Sequence, residues 1–334
     1  GPVKNGGRGF QHIVKHHGSL FKVSPDGKQF EVVATGFRAP NGIAIGPKGE
    51  LTAGDNEGTW TPRCRLNWIK PGGFYGVVDL AHRDPAPTDY DRPLCWFPKE
   101  VDNSSGGQVW VPDKRWGPFG GRLLHLSYGT CSLYSVLKEE AGGQIQGGVT
   151  RFPLNFSSGT MRARFHPGDG QLYVLGMKGW QTSGVLDGSL QRVRYTGAPV
   201  RMPHALSATK RGVEITFTEA LDPEWATDPE NYAVSQWNYI WSSAYGSPEV
   251  SAKAKSAIAP GEAGVEWTGD QKKLREHDTL NVKSAKLSQD GKTVSLELPE
   301  IQPVMQMKIQ FNLETADGEP LRSEIFNTIH ALNP

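Results

Sequence analysis

The sequence predicts an all-β chain, in which a partial or small β-propeller is followed by an immunoglobulin- or fibronectin-like β-sandwich. Three observations predict it. The 334 residues include 40 glycines and 24 prolines, a composition dense in turns, beside 10 tryptophans, 13 phenylalanines and 9 tyrosines that supply apolar area. Short strand–turn units recur in the first part of the chain, and strands of a different texture follow. The length itself favours two domains.

The first region, residues 1–203, consists of repeated strand–turn units. Residues 18–23 (GSLFKV) are echoed by residues 188–193 (GSLQRV), and residues 47–51 (PKGEL) are echoed by residues 167–174 (PGDGQLYV). Units of this kind at a period of roughly 40–50 residues are typical of propeller blades. The region has room for about four blades at that period. We therefore expect either part of a larger ring, with blades missing, or a small ring.

The second region, residues 204–334, alternates apolar and polar residues. Residues 213–217 (VEITF), 294–298 (VSLEL) and 305–311 (MQMKIQF) each have period two, which is typical of half-buried strands. Several such strands with polar outer faces predict an immunoglobulin-like sandwich. Residues 249–279, rich in Lys, Ala, Gly and Glu, predict a long polar insertion.

Charge and composition exclude several classes of partner. Lysine and arginine number 36 against 35 aspartates and glutamates, so the net charge of +1 favours neither nucleic acid nor an anionic membrane surface. No apolar stretch reaches the roughly 18 residues of a membrane span. Cys64, Cys95 and Cys131 form no CxxC or CxxCH, which excludes a covalent haem within this chain and leaves one disulfide or three thiols open. His125 and His204 have no visible partner in the sequence.

The first candidate site brackets one predicted inner strand. Arg38 and Asn41 precede the strand, and Asp55 and Glu57 follow it. Since inner strands of a propeller deliver their ends to the channel mouth, these side chains would gather charge there. The alternative is an ordinary turn followed by a polar loop.

The second candidate site is an arginine pair. Alternation along residues 161–165 (MRARF) places Arg162 and Arg164 on one strand face. Their forked donors suit an anionic, carboxylate-bearing ligand. The alternative is a blade edge with solvated arginines.

The third candidate is an aromatic stripe. Trp237, Tyr239 and Trp241 share one face at a spacing of two, and Tyr245 follows. Such a stripe would stack on carbohydrate, although a sandwich core or a domain interface is the more frequent use of these residues.

These motifs resemble a known family. Residues 36–42 (GFRAPNG) and 67–76 (NWIKPGGFYG) are similar to the pattern of soluble quinoprotein glucose/sorbosone dehydrogenases, six-bladed propellers that bind pyrroloquinoline quinone and calcium. The resemblance covers about residues 18–197, roughly the second half of such a ring. It implies that Arg38, Asn41 and the Arg162–Arg164 pair contact the quinone. It also implies that the loop carrying Asp55 and Glu57 holds the cation.

The chain also departs from the family pattern. Ala39 replaces an Asn beside the Arg, and no lysine occurs near residues 127–129, where the family has a quinone-contacting Lys. The acidic pair of the structural calcium loop falls on residues 61–64 (TPRC). The family's catalytic His lies on blades that would precede residue 1, so we assign no catalytic residue.

Two further resemblances shape the functional expectation. In overall arrangement the chain is similar to exported bacterial proteins called membrane-bound dehydrogenase-like, which join this propeller to a sandwich and commonly to a cytochrome c domain. That similarity implies a secreted or periplasmic location. Residues 40–44 (PNGIA) are also similar to gluconolactonase-type propellers, in which an Asn helps to hold a divalent metal.

The leading expectation is a quinoprotein-like sugar or alcohol dehydrogenase, or a piece of one, that binds an anionic cofactor or a carbohydrate at the channel mouth. A non-catalytic propeller and sandwich that binds carbohydrate or protein is nearly as well supported, because the lysine and the base are missing. A metal-dependent lactonase is the third interpretation. Small sugars or polysaccharides, the remaining blades and a cytochrome c domain are the expected partners.

Overall fold

The computed structural model describes residues 13–253 and 275–334. Most of the predicted insertion at 249–279 therefore lies outside the described residues. The chain is all-β, as predicted, with propeller-like blades followed by a sandwich. In the described residues the one α-helix, α1 (Pro223–Thr227), and the 3-10 turns Val78–Leu80, Lys114–Phe119 and Pro229–Asn231 are short. None of the helices in this part of the chain has the length and apolarity needed to span a bilayer.

Four sheets form the first region, and each is built mainly from strands that are consecutive in the chain. The strands are β1 (Leu20–Val23), β2 (Phe30–Thr35), β3 (Pro40–Ile45), β4 (Leu51–Asp55), β5 (Cys64–Ile69), β6 (Gly73–Phe74), β7 (Cys95–Phe97), β8 (Ser105–Trp110), β9 (Leu123–Ser127), β10 (Ser132–Ala141), β11 (Gln144–Arg151), β12 (Gly159–Phe165), β13 (Leu172–Met177) and β14 (Gly188–Val193). The sheets have the strand orders β1-β2-β6, β3-β4-β5-β7, β8-β9-β10-β11 and β12-β13-β14. The sheets β8-β9-β10-β11 and β12-β13-β14 are antiparallel meanders typical of blades, whereas β6 joins the first sheet by pairing parallel to β2.

The leading strands of three blades lie side by side and begin at the same end. Asn41 near the start of β3 donates from Nδ2 to the carbonyl of Ser105, at the start of β8, over 2.6 Å. Gly42 has a positive φ of 73°. A Cβ there would lie 2.5 Å from the Cα of Gly107, so this approach of β3 to β8 requires glycine. Further along, the Arg162 guanidinium of β12 donates to Asn41 Oδ1 over 2.7 Å.

Two four-stranded sheets form the sandwich of the second region. Its strands are β15 (Pro203–Thr209), β16 (Gly212–Phe217), β17 (Tyr232–Trp237), β18 (Asp278–Leu280), β19 (Ser284–Leu287), β20 (Thr293–Glu297), β21 (Val304–Glu314) and β22 (Pro320–Ile329). The sheet β15-β16-β20-β19 packs on β18-β17-β21-β22. The period-two residues predicted from the sequence fill the space between them: Phe217 and Phe311, for example, meet edge to face at 5.4 Å.

One sheet runs through both regions. Strand β22 pairs with β11, with Gly147 opposite Thr328 and Thr150 opposite Ile325, so the third blade and one sandwich sheet form a continuous eight-stranded sheet. The domain boundary after residue 203 stays a prediction. Hydrogen bonds between the strands nevertheless connect the two sides of that boundary directly, and the sandwich is fixed to the outer edge of a blade.

The cysteines resolve the question that the sequence left open. Cys64, Cys95 and Cys131 are all buried, and all three are free thiols. Burial raises the pKa of the Cys64 and Cys95 thiols well above the ordinary value. A thiol that stays protonated is a poor nucleophile, so neither cysteine is expected to be reactive. In the core, both pack as small apolar side chains.

Candidate functional site

Two arginines without acidic partners mark the candidate site. Arg162 and Arg164 project from the same face of β12, and Ala163 between them is buried on the other face. The guanidinium of Arg162 donates to the Met161 carbonyl and to Asn41 Oδ1, and that of Arg164 donates to the Ala163 carbonyl. Within the described residues, neither forms a salt bridge with a carboxylate. Both side chains are exposed, so two adjacent cations are held in place with solvent and neutral oxygens around them, and without a carboxylate partner.

Both arginines line a pocket of about 300 Å³, which we call the arginine pocket. Its wall is largely apolar, and Gln108 is a further polar lining residue; the apolar side chains include Leu20, Phe37, Ile43 and Ile69. Burial, followed by the positive charge of Arg164, lowers the pKa of Arg162. An anion in this pocket would neutralise both guanidinium groups.

Asn41 and Arg38, both predicted site residues, have different surroundings. Asn41 bonds Ser105 and Arg162, so it holds the arginine in position. Arg38 lies outside the lining of the arginine pocket: its guanidinium packs against Gly58 and over the Tyr245 ring, 5.4 Å from the centroid. The structure therefore brings three of the four predicted binding residues together. Since the Asn41 amide is already used by Ser105 and Arg162, the lactonase-type metal role is not favoured.

The predicted metal ligands have cationic or amide partners instead. Asp55 is fully buried; it accepts from the backbone N–H groups of Arg38 and Ala39 at 3.0 and 2.7 Å, and from Arg65 at 3.2 Å. Glu57 pairs with Arg63 at 3.4 Å and with Lys99 at 3.3 Å. In residues 13–253 and 275–334, no three His, Cys, Asp or Glu side chains are grouped to hold a metal ion. Asp55 and Glu57 do not fit a calcium site in this arrangement.

The aromatic stripe is buried, which is the core or interface use that the sequence favoured over sugar stacking. Trp237, Tyr239 and Trp241 are only 1%, 5% and 3% exposed. Trp237 stacks on His277 at 3.8 Å, and the Trp241 indole N–H donates to the Gly76 carbonyl over 2.9 Å. No ring face is left for a sugar. These rings form what we call the junction core, an aromatic cluster between blades and sandwich: Trp60, Trp96, Trp237, Tyr239, Trp241 and Phe326.

Two features were missed by the sequence analysis. His125 does have a partner: its Nε2 lies 2.7 Å from Asp102, a buried carboxylate that also accepts from Ser105 and Ser127 at 2.7 and 2.8 Å. Trp180, which belongs to none of the three predicted sites, is 48% exposed. Neither follows from spacing, since Asp102 lies 23 positions from His125 and an isolated tryptophan carries no pattern.

Comparison with known proteins agrees with the sequence resemblance in kind. No family model and no curated protein matches the chain. Among solved structures, the chain is similar to a putative oxidoreductase (glucose dehydrogenase) from Thermus thermophilus, with 24% identity, a TM-score of 0.37 and coverage of 49% of this chain and 46% of that one. It is also similar to the PQQ-bound aldose sugar dehydrogenase of Streptomyces coelicolor, with 20% identity, a TM-score of 0.35 and coverage of 53% and 52%.

A third similar structure is the apo form of the soluble aldose sugar dehydrogenase of Escherichia coli, with 16% identity, a TM-score of 0.36 and coverage of 49% and 47%. All three are sugar dehydrogenases or a putative one, the kind of protein that the sequence motifs resemble. The chain spans about half the length of each solved structure it matches. TM-scores this low assign no role to any residue of this chain.

Proposed function

We propose that this chain contributes the anion-binding wall of a quinoprotein-type sugar or alcohol dehydrogenase. The observation that carries the proposal is the pair of uncompensated guanidinium groups, Arg162 and Arg164, lining one apolar pocket. Pyrroloquinoline quinone is a flat ring system with three carboxylates. Its carboxylates suit forked guanidinium donors, and its ring system suits the apolar wall.

The residues present fit the quinone's binding. Arg162 and Arg164 would each hold a carboxylate, and Asn41 keeps Arg162 oriented through its 2.7 Å hydrogen bond. Phe37, Ile43 and other apolar side chains of the wall would exclude water from the ring. When bound, the quinone supplies the oxidising chemistry by accepting two electrons from an alcohol.

The proposed role of this chain is therefore to bind and orient, and we assign it no catalytic base. Calcium forms no part of the proposal, because Asp55 and Glu57 have other partners. An exported location, further blades and an electron-accepting cytochrome c domain belong to the proposal on the sequence resemblance alone.

The test is calorimetric titration of pyrroloquinoline quinone into the purified chain. We expect Arg162→Ala and Arg164→Ala each to weaken binding about tenfold or more, which corresponds to the loss of one charge-assisted hydrogen-bonding group. Arg192→Ala is the matched control, since Arg192 is an exposed arginine on β14, two strands from β12 in the same sheet, and does not line the pocket. The Arg192→Ala variant should bind pyrroloquinoline quinone with the affinity of the parent chain.

Two further ligands separate the contributions to binding. A flat o-quinone without carboxylates, 9,10-phenanthrenequinone, should bind weakly and be indifferent to both arginine substitutions. The affinity for benzene-1,3,5-tricarboxylate, which has three carboxylates and no quinone, should fall in both arginine variants. The proposal fails if pyrroloquinoline quinone does not bind, or if it binds the two pocket variants as tightly as the control. Affinity that appears only with calcium would contradict the account of Asp55 and Glu57.

A further inference from the structure

Trp180 is an exposed aromatic ring held in one orientation. Its indole N–H donates to Ser104 Oγ over 2.9 Å, and its backbone N–H donates to the Tyr128 hydroxyl over 2.8 Å. One face of the ring packs on Tyr128, with the centroids 4.1 Å apart. The residue is nevertheless 48% exposed. Since the polar edge and one face are occupied, the indole offers its remaining surface to solvent as a fixed apolar platform.

This platform lies at the end of the leading strands where Asn41 also lies. Ser104, which accepts from the Trp180 indole, immediately precedes Ser105. The Ser105 carbonyl accepts from Asn41, and Asn41 in turn accepts from Arg162. A short chain of contacts therefore connects the exposed indole to the arginine pocket, along one rim of the blades.

An exposed carboxamide precedes Ser104, the acceptor of the indole N–H, and another follows Trp180 in the chain. The Asn103 amide is exposed and lies against Gly129, whose carbonyl accepts from the backbone of Ser183. Gln181, next to Trp180 in the chain, is exposed as well. An apolar ring face beside carboxamides matches a ligand that has C–H groups on one face and hydroxyls around its edge.

We propose that Trp180 is the stacking platform for a neutral pyranose ring at this rim, and that it helps to select the sugar. The inference rests on the proposed function, for which it names a substrate-side residue. The C–H groups of the pyranose pack on the free indole face, while its hydroxyls exchange hydrogen bonds with Asn103 and Gln181. An open-chain polyol with similar hydroxyls presents no such face and binds less well.

The test is NMR on the intact chain without quinone, with methyl β-D-glucopyranoside as the probe and D-sorbitol as the open-chain control. The Trp180 indole N–H resonance, identified by its loss in Trp180→Phe, should shift on titration with the glucoside and stay unchanged with sorbitol. Saturation-transfer signals from the glucoside should fall about tenfold in Trp180→Ala and be mostly retained in Trp180→Phe. Trp225→Ala removes another exposed tryptophan, 37% exposed on α1, and should change nothing.

Each outcome bears on the proposal. It is overturned if the glucoside leaves the Trp180 resonance unmoved, if sorbitol shifts it equally, or if adenosine shifts it and the glucoside does not. The indole shift is measured on the parent chain, so the test stands even if Trp180→Ala folds poorly. The parent chain separates the two proposals. If it binds the glucoside but not pyrroloquinoline quinone, the arginine pocket alone is contradicted, and if it binds the quinone but not the glucoside, Trp180 alone is contradicted.

Discussion

The junction core and the arginine pocket are built from the same residue types, and the structure uses them in opposite ways. At the junction, Arg65 is fully buried, pairs with Asp55, donates to the Tyr75 carbonyl and lies over the Trp96 ring at 5.3 Å. In the pocket, Arg162 and Arg164 have no carboxylate partner among the described residues. Tryptophan follows the same division: Trp241 is buried, and Trp180 is exposed.

The contrast between the junction core and the arginine pocket separates structural residues from functional ones. A buried charge costs several kcal/mol unless it is paired, so Arg65, which pairs with Asp55, belongs to the folded core even though its Nε and Nη1 atoms have no hydrogen-bond partner. Arg162 and Arg164 are exposed and donate to neutral oxygens, and it is our proposal that an anion binds them. The tryptophans differ in a similar way: the indole edge and one face of Trp180 have partners, and the rest of the ring is open to solvent.

The largest effect should come from removing the sandwich. A chain ending at residue 203 lacks β22, which leaves β11 with an unpaired edge, and it lacks Trp237, Tyr239 and Trp241 of the junction core. Each lost tryptophan costs roughly 3–5 kcal/mol, and together they approach the total stability of a domain. We expect no cooperative urea transition by circular dichroism. A truncated chain that unfolds at the parent's midpoint would show the two regions to be independent.

Asp55→Asn tests whether this carboxylate belongs to the structure or to a metal. The substitution leaves the Arg65 guanidinium buried without its counter-charge, so we expect a loss of about 3–5 kcal/mol in urea unfolding. The loss should be the same in EDTA and in calcium. Glu57→Gln should cost less than Asp55→Asn, because Lys99 is exposed and Arg63 keeps a second carboxylate partner in Glu249. A cost for Asp55→Asn that appears only in calcium would restore the cation site.

A pair of tryptophan substitutions compares how much one ring contributes to stability in each of the two regions. Trp241→Ala removes a ring packed on Trp60 and Tyr90 at 5.1 and 5.0 Å, together with the hydrogen bond to Gly76, and should cost roughly 3–5 kcal/mol. Trp180→Ala should cost about 1 kcal/mol or less, because its ring is half exposed. Denaturant midpoints measure both changes. Equal losses would mean that Trp180 is a structural residue like the others.

Stability should also depend on pH at the junction, by less than the loss expected for Trp241→Ala. Burial lowers the pKa of His330 from 6.5 to about 4, and its Nε2–H donates to the Pro93 carbonyl over 2.7 Å. Between those two values the unfolded chain binds a proton that the folded chain does not, so stability falls as the pH drops from 6.5 towards 4. We expect a contribution on the order of 2 kcal/mol across this range.

Urea unfolding at several pH values measures the contribution of His330. His330→Gln retains a donor for Pro93 without the titration, so its stability should fall less steeply with acid than that of the parent. Parallel curves for the parent and the variant would show that His330 keeps its ordinary pKa in the folded chain.

Local patterns in the sequence predicted most of the strands, because they depend on neighbouring residues. The alternation of residues 213–217 and 305–311 lies within β16 and β21, and the echo at 188–193 coincides with β14. The same periodicity placed Arg162 and Arg164 on one face of β12. A period-two pattern needs only the pleat of a strand, which each segment carries in itself.

Contacts between distant residues were beyond reach of the sequence patterns. Alternation put Trp237, Tyr239 and Trp241 in one stripe, but only the packing of the sandwich against the blades buried all three rings. Likewise, the family resemblance implied a cation at Asp55, and the pairing of β4 with β5 supplied the Arg65 guanidinium instead.

Local patterns of residues predicted three features: the all-β class of the chain, the positions of turns, and the placement of two arginines on one strand face. Only the tertiary structure decided which charges are neutralised, that the third blade and the sandwich share one sheet, and that Trp180 is the exposed tryptophan at the rim. The physical reason is that strand periodicity arises from local backbone geometry. Charge compensation and burial depend on groups brought together from positions far apart in the chain.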